Sequence, residues 1–144
     1  MIRIIEFREI DLQPLRKLFL SERQRTFAEQ DTSEFKLEDF DKQTQGEYIL
    51  TAFLDDVLVG FISIWIPTSF IHHLYVAAPF QGKNIGTELL KAAIQKTTFP
   101  ITLKCLETNT KAIEFYIKKG FTEKSRGYSG NGTYILFELT KEIV

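Results

Sequence analysis

The chain is poor in the residues that build covalent or metal frameworks. Among its 144 residues there is one cysteine, Cys105, and there are two histidines, His72 and His73. A lone cysteine excludes an intramolecular disulfide framework and a cysteine-based metal cluster. No metal-ligand spacing occurs either, so no metal is expected. Charge of neither sign dominates: 18 Lys and Arg stand against 19 Asp and Glu, a formal net charge of −1. No global field therefore favours nucleic acid or a membrane surface, and any anion site has to be local. No apolar run approaches the roughly 20 residues of a membrane-spanning helix, and residues 1–6 lack a signal-peptide core. The expectation is a soluble, cytoplasmic protein. Repeats, low-complexity tracts and linkers are also missing, so residues 1–144 read as a single domain. What the chain has in plenty is apolar surface. Its 13 phenylalanines suit a compact core or a partly apolar pocket.

Periodicity orders the elements. Residues 2–7 are rich in β-branched side chains and read as a strand. Asp11 is placed to cap a helix carried by Leu12, Leu15, Leu18 and Phe19, with Pro14 tolerated in its first turn. Residues 22–36 are polar, and residues 37–43 suit a short helix. Two strands, 48–54 and 57–66, flank Asp55-Asp56, a hairpin signal. Residues 70–76 are apolar on both faces and predict a central strand. A helix over 84–96, a strand over 101–106 and a helix begun by Asn109 and stopped by Gly120 follow. A last hairpin turns at Ser129-Gly130-Asn131-Gly132. The fold class is α/β or α+β, with a mixed, mostly antiparallel sheet of about seven strands flanked by helices.

One segment carries the chemistry. An apolar strand breaks at Pro79, and a short loop places Gly82, Asn84 and Gly86 at alternate positions. A helical pattern begins at once with Thr87-Glu88-Leu89-Leu90. The first amides of a helix have no internal partner, and the helix dipole puts partial positive charge there. Such a turn suits a pyrophosphate.

Gln81-Gly82-Lys83-Asn84-Ile85-Gly86 resembles the acyl-CoA pyrophosphate loop of the GNAT N-acetyltransferase superfamily, usually written Gln/Arg-x-x-Gly-x-Gly/Ala. Downstream, Asn109-Thr110-Lys111-Ala112-Ile113-Glu114-Phe115-Tyr116-Ile117-Lys118-Lys119-Gly120-Phe121 resembles that family's second signature, Asn-x-x-Ala-x-x-Phe-Tyr-x-x-x-Gly-Phe. One position departs: Asn84 stands where the loop usually has glycine. Asparagine enters left-handed backbone more readily than most residues, so the loop can keep its shape.

The resemblance implies a sheet splayed at its central strands and acetyl-CoA as co-substrate. It also implies a small-molecule or peptide amine as acceptor. The amides of Gln81, Gly82, Lys83, Asn84, Ile85, Gly86 and Thr87 would cradle the pyrophosphate. Backbone groups of Leu74, Tyr75 and Val76 would pair with the pantetheine amides like an added strand. Asn109 would touch the same arm or simply cap its helix. Tyr116 would protonate the departing thiolate, against the plainer reading of a core tyrosine. His72, four residues before Val76, stands where some family members carry the base that deprotonates the amine. Strand alternation places His72 with Leu74 and Val76 and turns His73 to the other face. A water relay could replace His72. An acyl-cysteine at Cys105 lacks a sequence-local base, and packing suits that residue better. Asp31, Glu34, Glu38 and Asp39 could draw a cationic amine but read equally as a solvated face. Trp65 and Phe70 line the acceptor cleft or pack the core.

Two other functions stay open on sequence. One is an acyltransferase acting on a protein N-terminus or a lysine. The other is a non-catalytic acyl-CoA-binding regulatory module. A dinucleotide-binding reading fails because Gly82-x-Asn84-x-Gly86 lacks the full glycine pattern and the strands are mixed. Exposed sheet edges make a homodimer possible.

Overall fold

The computed structural model describes residues 1–142. In chain order it contains β1 (Ile2–Glu6), α1 (Leu12–Thr26), α2 (Asp39–Gln43), β2 (Tyr48–Leu54), β3 (Val57–Trp65), β4 (Phe70–Val76), α3 (Ile85–Ile94), β5 (Ile101–Leu106), α4 (Thr110–Lys118), β6 (Thr122–Ser129) and β7 (Gly132–Leu139). The strands form one sheet in the spatial order β1-β2-β3-β4-β5-β7-β6. Every pair is antiparallel except β4 and β5. This is the mixed, mostly antiparallel sheet that the sequence predicts.

The central strands are covered on both faces, which explains their unbroken apolar runs. On one face Leu50, Ile62, Ile64 and Ile71 pack with Leu89 and Leu90 of α3 and Tyr116 of α4. On the other, Ile49 and Phe61 pack with Leu15, Leu18 and Phe19 of α1 and Phe40 of α2. Adjacent residues thus serve opposite cores, as the two-residue period of a strand requires. The β2–β3 turn puts Asp55 and Asp56 at φ 50° and 68°. Two left-handed residues give the turn whose twist matches its strands, and aspartate tolerates that backbone.

Two expectations need correction. Asp11 precedes α1 but its side chain caps nothing. A 3-10 turn over Glu9–Asp11 runs straight into the helix, so Asp11 never takes the extended backbone of a cap. Its carboxylate instead accepts two bonds from Arg8, at 2.8 and 3.2 Å. Helix α1 also continues through residues that look like a polar loop. Arg23 makes this possible: its guanidinium lies 4.9 Å from the Phe19 ring and 3.9 Å from the Phe35 ring. It also donates to Asp39 at 3.2 Å. The aliphatic stem covers apolar surface while the head is paired.

Two irregularities in β4 position the site. Strands β4 and β5 pair only at Phe70–Thr102 and Ile71–Leu103. Beyond these, β5 stays with β7 as far as Leu106, and the sheet opens between β4 and β5. At the same place β4 bulges: Ile71 faces Ile64 and His73 faces Ser63, so His72 is the extra residue. A bulge bends its strand and re-aims side chains.

Candidate active site

The bulge changes which way the histidines point. On a regular strand their side chains would diverge. Here the extra residue lets both imidazoles lie together, ring centroids 3.8 Å apart. His73 packs edge-on against Phe19 at 4.9 Å, on the α1 face. His72 therefore leaves the face of Leu74 and Val76 and joins His73, which corrects the alternation reading.

The two rings differ in chemistry. His73 is largely buried, with Nδ1 3.0 Å from the Ser63 hydroxyl. Burial first, then the neighbouring His72 and Arg23, holds its imidazole down at about 2. His73 stays neutral at working pH and has no use as a titrating base. His72 is exposed, and its Nδ1 lies 2.7 Å from Oε2 of Glu47. The Glu47 side chain is only 7% exposed, and its Oε1 has no hydrogen-bond partner among the described residues. Sequence reasoning missed Glu47. It lies 25 residues before His72, and only the β2–β3–β4 register brings them together. A carboxylate just ahead of an apolar strand was the one available signal.

The loop after β4 has the shape an anion needs. Gly82 and Asn84 sit at φ 81° and 71°, so Asn84 does take the left-handed backbone of the glycine it replaces. The first internal bond of α3 runs from the Glu88 amide to the Asn84 carbonyl at 3.1 Å. The amides of Ile85, Gly86 and Thr87 precede it, and the Asn84 side chain does not cap them. A Cβ on Gly86 would lie 3.4 Å from the Phe115 ring and 3.9 Å from Val76. Its smallness lets α4 and the end of β4 close on the start of α3. The Gln81 side chain donates to the Val76 carbonyl at 2.9 Å, tying loop to strand. Lys83 is exposed, whereas the Ile85 side chain is core.

Leu74, Tyr75 and Val76 line the opened edge of β4. Tyr75 faces the α1 core, and burial pushes its hydroxyl up to about 12. Asn109 caps α4, its side-chain oxygen accepting from the Ala112 amide at 3.2 Å. Tyr116 lies among Phe115, Phe121 and Phe137 at ring separations of 5.3, 5.4 and 6.1 Å. Burial, with smaller effects of Cys105 and Tyr75, raises its hydroxyl above the ordinary tyrosine range. It is thus a protonated donor throughout the working range. Burial also pushes the Cys105 thiol up to about 11, which removes it as a nucleophile. Of the acidic residues ahead of β2, Asp39 is engaged by Arg23 and by the Lys36 amide, and Asp31 holds the Ser33 amide.

The family model described as the acetyltransferase (GNAT) family matches residues 12–121. The chain belongs to the GNAT acetyltransferase family. It is an acyltransferase, and the loop and splay lie within the matched span. Several solved structures share this GNAT fold. PaiA N-acetyltransferase from Thermoplasma acidophilum, in complex with coenzyme A, superposes with a TM-score of 0.77 at 23% identity, covering 98% of this chain and 99% of that one. An Arabidopsis thaliana protein in complex with the bisubstrate analogue CoA-Ac-MVNAL gives 0.73 at 20% identity, with 97% and 99% covered. YncA from Salmonella typhimurium, with its cofactor acetyl-CoA, gives 0.74 at 17%, with 96% and 93% covered. No curated protein matches the GNAT chain significantly in sequence. Among the described residues no helix is long and apolar enough to cross a membrane.

Proposed function

We propose that residues 1–144 form one catalytic domain that transfers the acetyl group of acetyl-CoA to a primary amine by direct attack. One observation carries this reading: the stretch of β4 that β5 leaves unpaired begins at the His72 bulge and ends at Val76, where the loop leading to the uncapped first amides of α3 begins. The residues fit acetyl-CoA. The loop from Gln81 to Thr87 would hold the pyrophosphate through backbone amides. The edge of Leu74, Tyr75 and Val76, which β5 leaves unpaired, would hold the pantetheine amides. The oxygen of Asn109 is already engaged as a cap, which leaves its amide nitrogen for that arm.

His72 removes a proton from the incoming amine on the α1 face. Glu47, at 2.7 Å from Nδ1, fixes the ring and leaves Nε2 to accept. Tyr116 donates its proton to the departing thiolate. A thiolate leaves readily, so this step contributes a factor of about 10². Holding both reactants in the opening supplies much of the remaining rate. The acceptor is a small-molecule or peptide amine. The Arabidopsis structure, whose bisubstrate analogue includes a peptide, favours keeping a protein N-terminus as the second reading.

Calorimetric titration with acetyl-CoA tests the donor site, with dephosphorylated coenzyme A and NAD as controls. Micromolar binding of acetyl-CoA but not of NAD is the expected result, to be followed by a panel of amines. Absence of acetyl-CoA binding would overturn the reading.

A further inference from the structure

Adjacent histidines on a regular strand cannot share a ligand, but the β4 bulge removes that restriction. We infer that Glu47, His72 and His73 form a binding site for a divalent first-row transition ion, with Zn²⁺ the best match.

One potential ligand atom from each residue lies within 4.8 Å of the other two. Bonds of about 2.0–2.1 Å to tetrahedral zinc put neighbouring ligand atoms about 3.3 Å apart. Nδ1 of His72 and Oε2 of Glu47 share a hydrogen bond at 2.7 Å, which the ion would replace, and His72 is exposed, so its ring can turn to open that pair and complete the set. Two imidazoles and one carboxylate are the donors of zinc sites that keep a fourth position open. They do not suit Mg²⁺ or Ca²⁺, which take oxygen donors.

A second observation points to a cation. Oε1 of Glu47 is buried and has no hydrogen-bond partner among the described residues. A buried carboxylate oxygen left unpaired is costly, and native structures rarely keep one without a reason. A metal ion would satisfy it. The support around the set is also in place, since the Ser63 hydroxyl, 3.0 Å from Nδ1 of His73, fixes that ring. Metal-binding histidines are held in this way by their second nitrogen. The exposed side of His72 supplies the entry path.

Binding needs only these side chains and does not depend on acetyl transfer. Its consequence does: an ion here takes the lone pair that His72 would offer the amine. Zn²⁺ is then an inhibitor that competes with the acceptor. It does not compete with the donor, whose loop at residues 81–87 contributes no ligand.

The test is calorimetric titration of full-length, tag-free protein with Zn²⁺ after treatment with chelator, and with Mg²⁺ as control. One Zn²⁺ per chain with a Kd of about 1 μM or below is expected, with no heat from Mg²⁺. Co²⁺ should give the visible bands of a four-coordinate ion. His72→Ala and Glu47→Gln should each weaken Zn²⁺ binding more than about 100-fold, beyond the usual loss from an outer-shell change, while Ser63→Ala should cost about 10-fold. His72 is exposed, so His72→Ala folds even where a core variant does not. Zn²⁺ that fails to bind, or binds His72→Ala as tightly as wild type, overturns the site. With an acceptor in hand, Zn²⁺ should raise its apparent KM and leave that of acetyl-CoA unchanged. A higher acetyl-CoA KM would refute the competition.

Discussion

Gly60→Ala should damage both stability and coenzyme binding, because Gly60 lies directly against the strand end proposed to hold the donor. A Cβ there would sit 2.8 Å from the Tyr75 carbonyl oxygen and 3.4 Å from the Val76 Cα. Both are backbone atoms, so no side-chain rotation relieves the contact. Reaching ordinary separation requires the end of β4 to back away by roughly 0.6 Å. The strand cannot swing freely, since the Ala77 amide is held by the Val59 carbonyl at 2.8 Å beside the same glycine. Overpacking of this kind costs about 1–3 kcal/mol. For a chain of this size that lowers Tm by about 3–10 °C. The same shift would stretch the bonds that residues 74–76 are proposed to offer pantetheine. Loss of one such bond, worth about 1 kcal/mol, raises the acetyl-CoA Kd about 5-fold. Thermal denaturation and calorimetry read the two effects on one preparation. A variant that melts within about 1 °C of wild type and binds acetyl-CoA unchanged would show that β4 yields more easily than the packing implies.

Three further outcomes follow from the geometry. Tyr116→Phe keeps the ring packing and removes the proton, so kcat should fall about 10- to 100-fold with acetyl-CoA affinity unaltered; an unchanged kcat in steady-state assays removes the acid role. Asn84→Gly should preserve acetyl-CoA affinity, whereas Asn84→Val, a β-branched residue forced to φ 71°, should cost about 1–3 kcal/mol of stability and weaken acetyl-CoA binding; equal behaviour of the two in chemical denaturation and calorimetry would show that the loop does not need the left-handed backbone. Cys105 has a folded-state pKa raised to about 11 from 9.0. Its contribution is therefore complete below pH 9 and fades as pH rises towards 11. Native protein at pH 8 should resist alkylation by iodoacetamide, and denatured protein should react; rapid native labelling by mass spectrometry would contradict the burial.

The succession of strands and helices along the chain, and the loop between β4 and α3, could be read from residue pattern because they depend on local chemistry. Glycine and asparagine fix the loop, the period of two fixes the paired faces, and the signature ending in Gly120-Phe121 fixes α4. Four features could not be read this way, and each has a physical reason. The bulge at His72 breaks the period on which strand reading rests. Glu47 reaches His72 only through register across three strands. The end of α1 looks polar because Arg23 conceals two phenylalanine rings beneath a paired guanidinium. Asp11 looked like a cap because a short turn feeding directly into a helix leaves no mark in composition.

The limited pairing of β4 with β5 has a further consequence for traffic through the enzyme. A continuous sheet is a wall, and here the wall has one slit. In the proposed mechanism the donor reaches the slit from the α3 side and the acceptor from the α1 side, so neither must leave before the other enters. Kinetics should then show a ternary complex, with intersecting double-reciprocal lines. An acceptor can also be bulky away from its amine without meeting the donor. Selection among amines would then fall to residues along the α1 approach, which can vary without disturbing the coenzyme side.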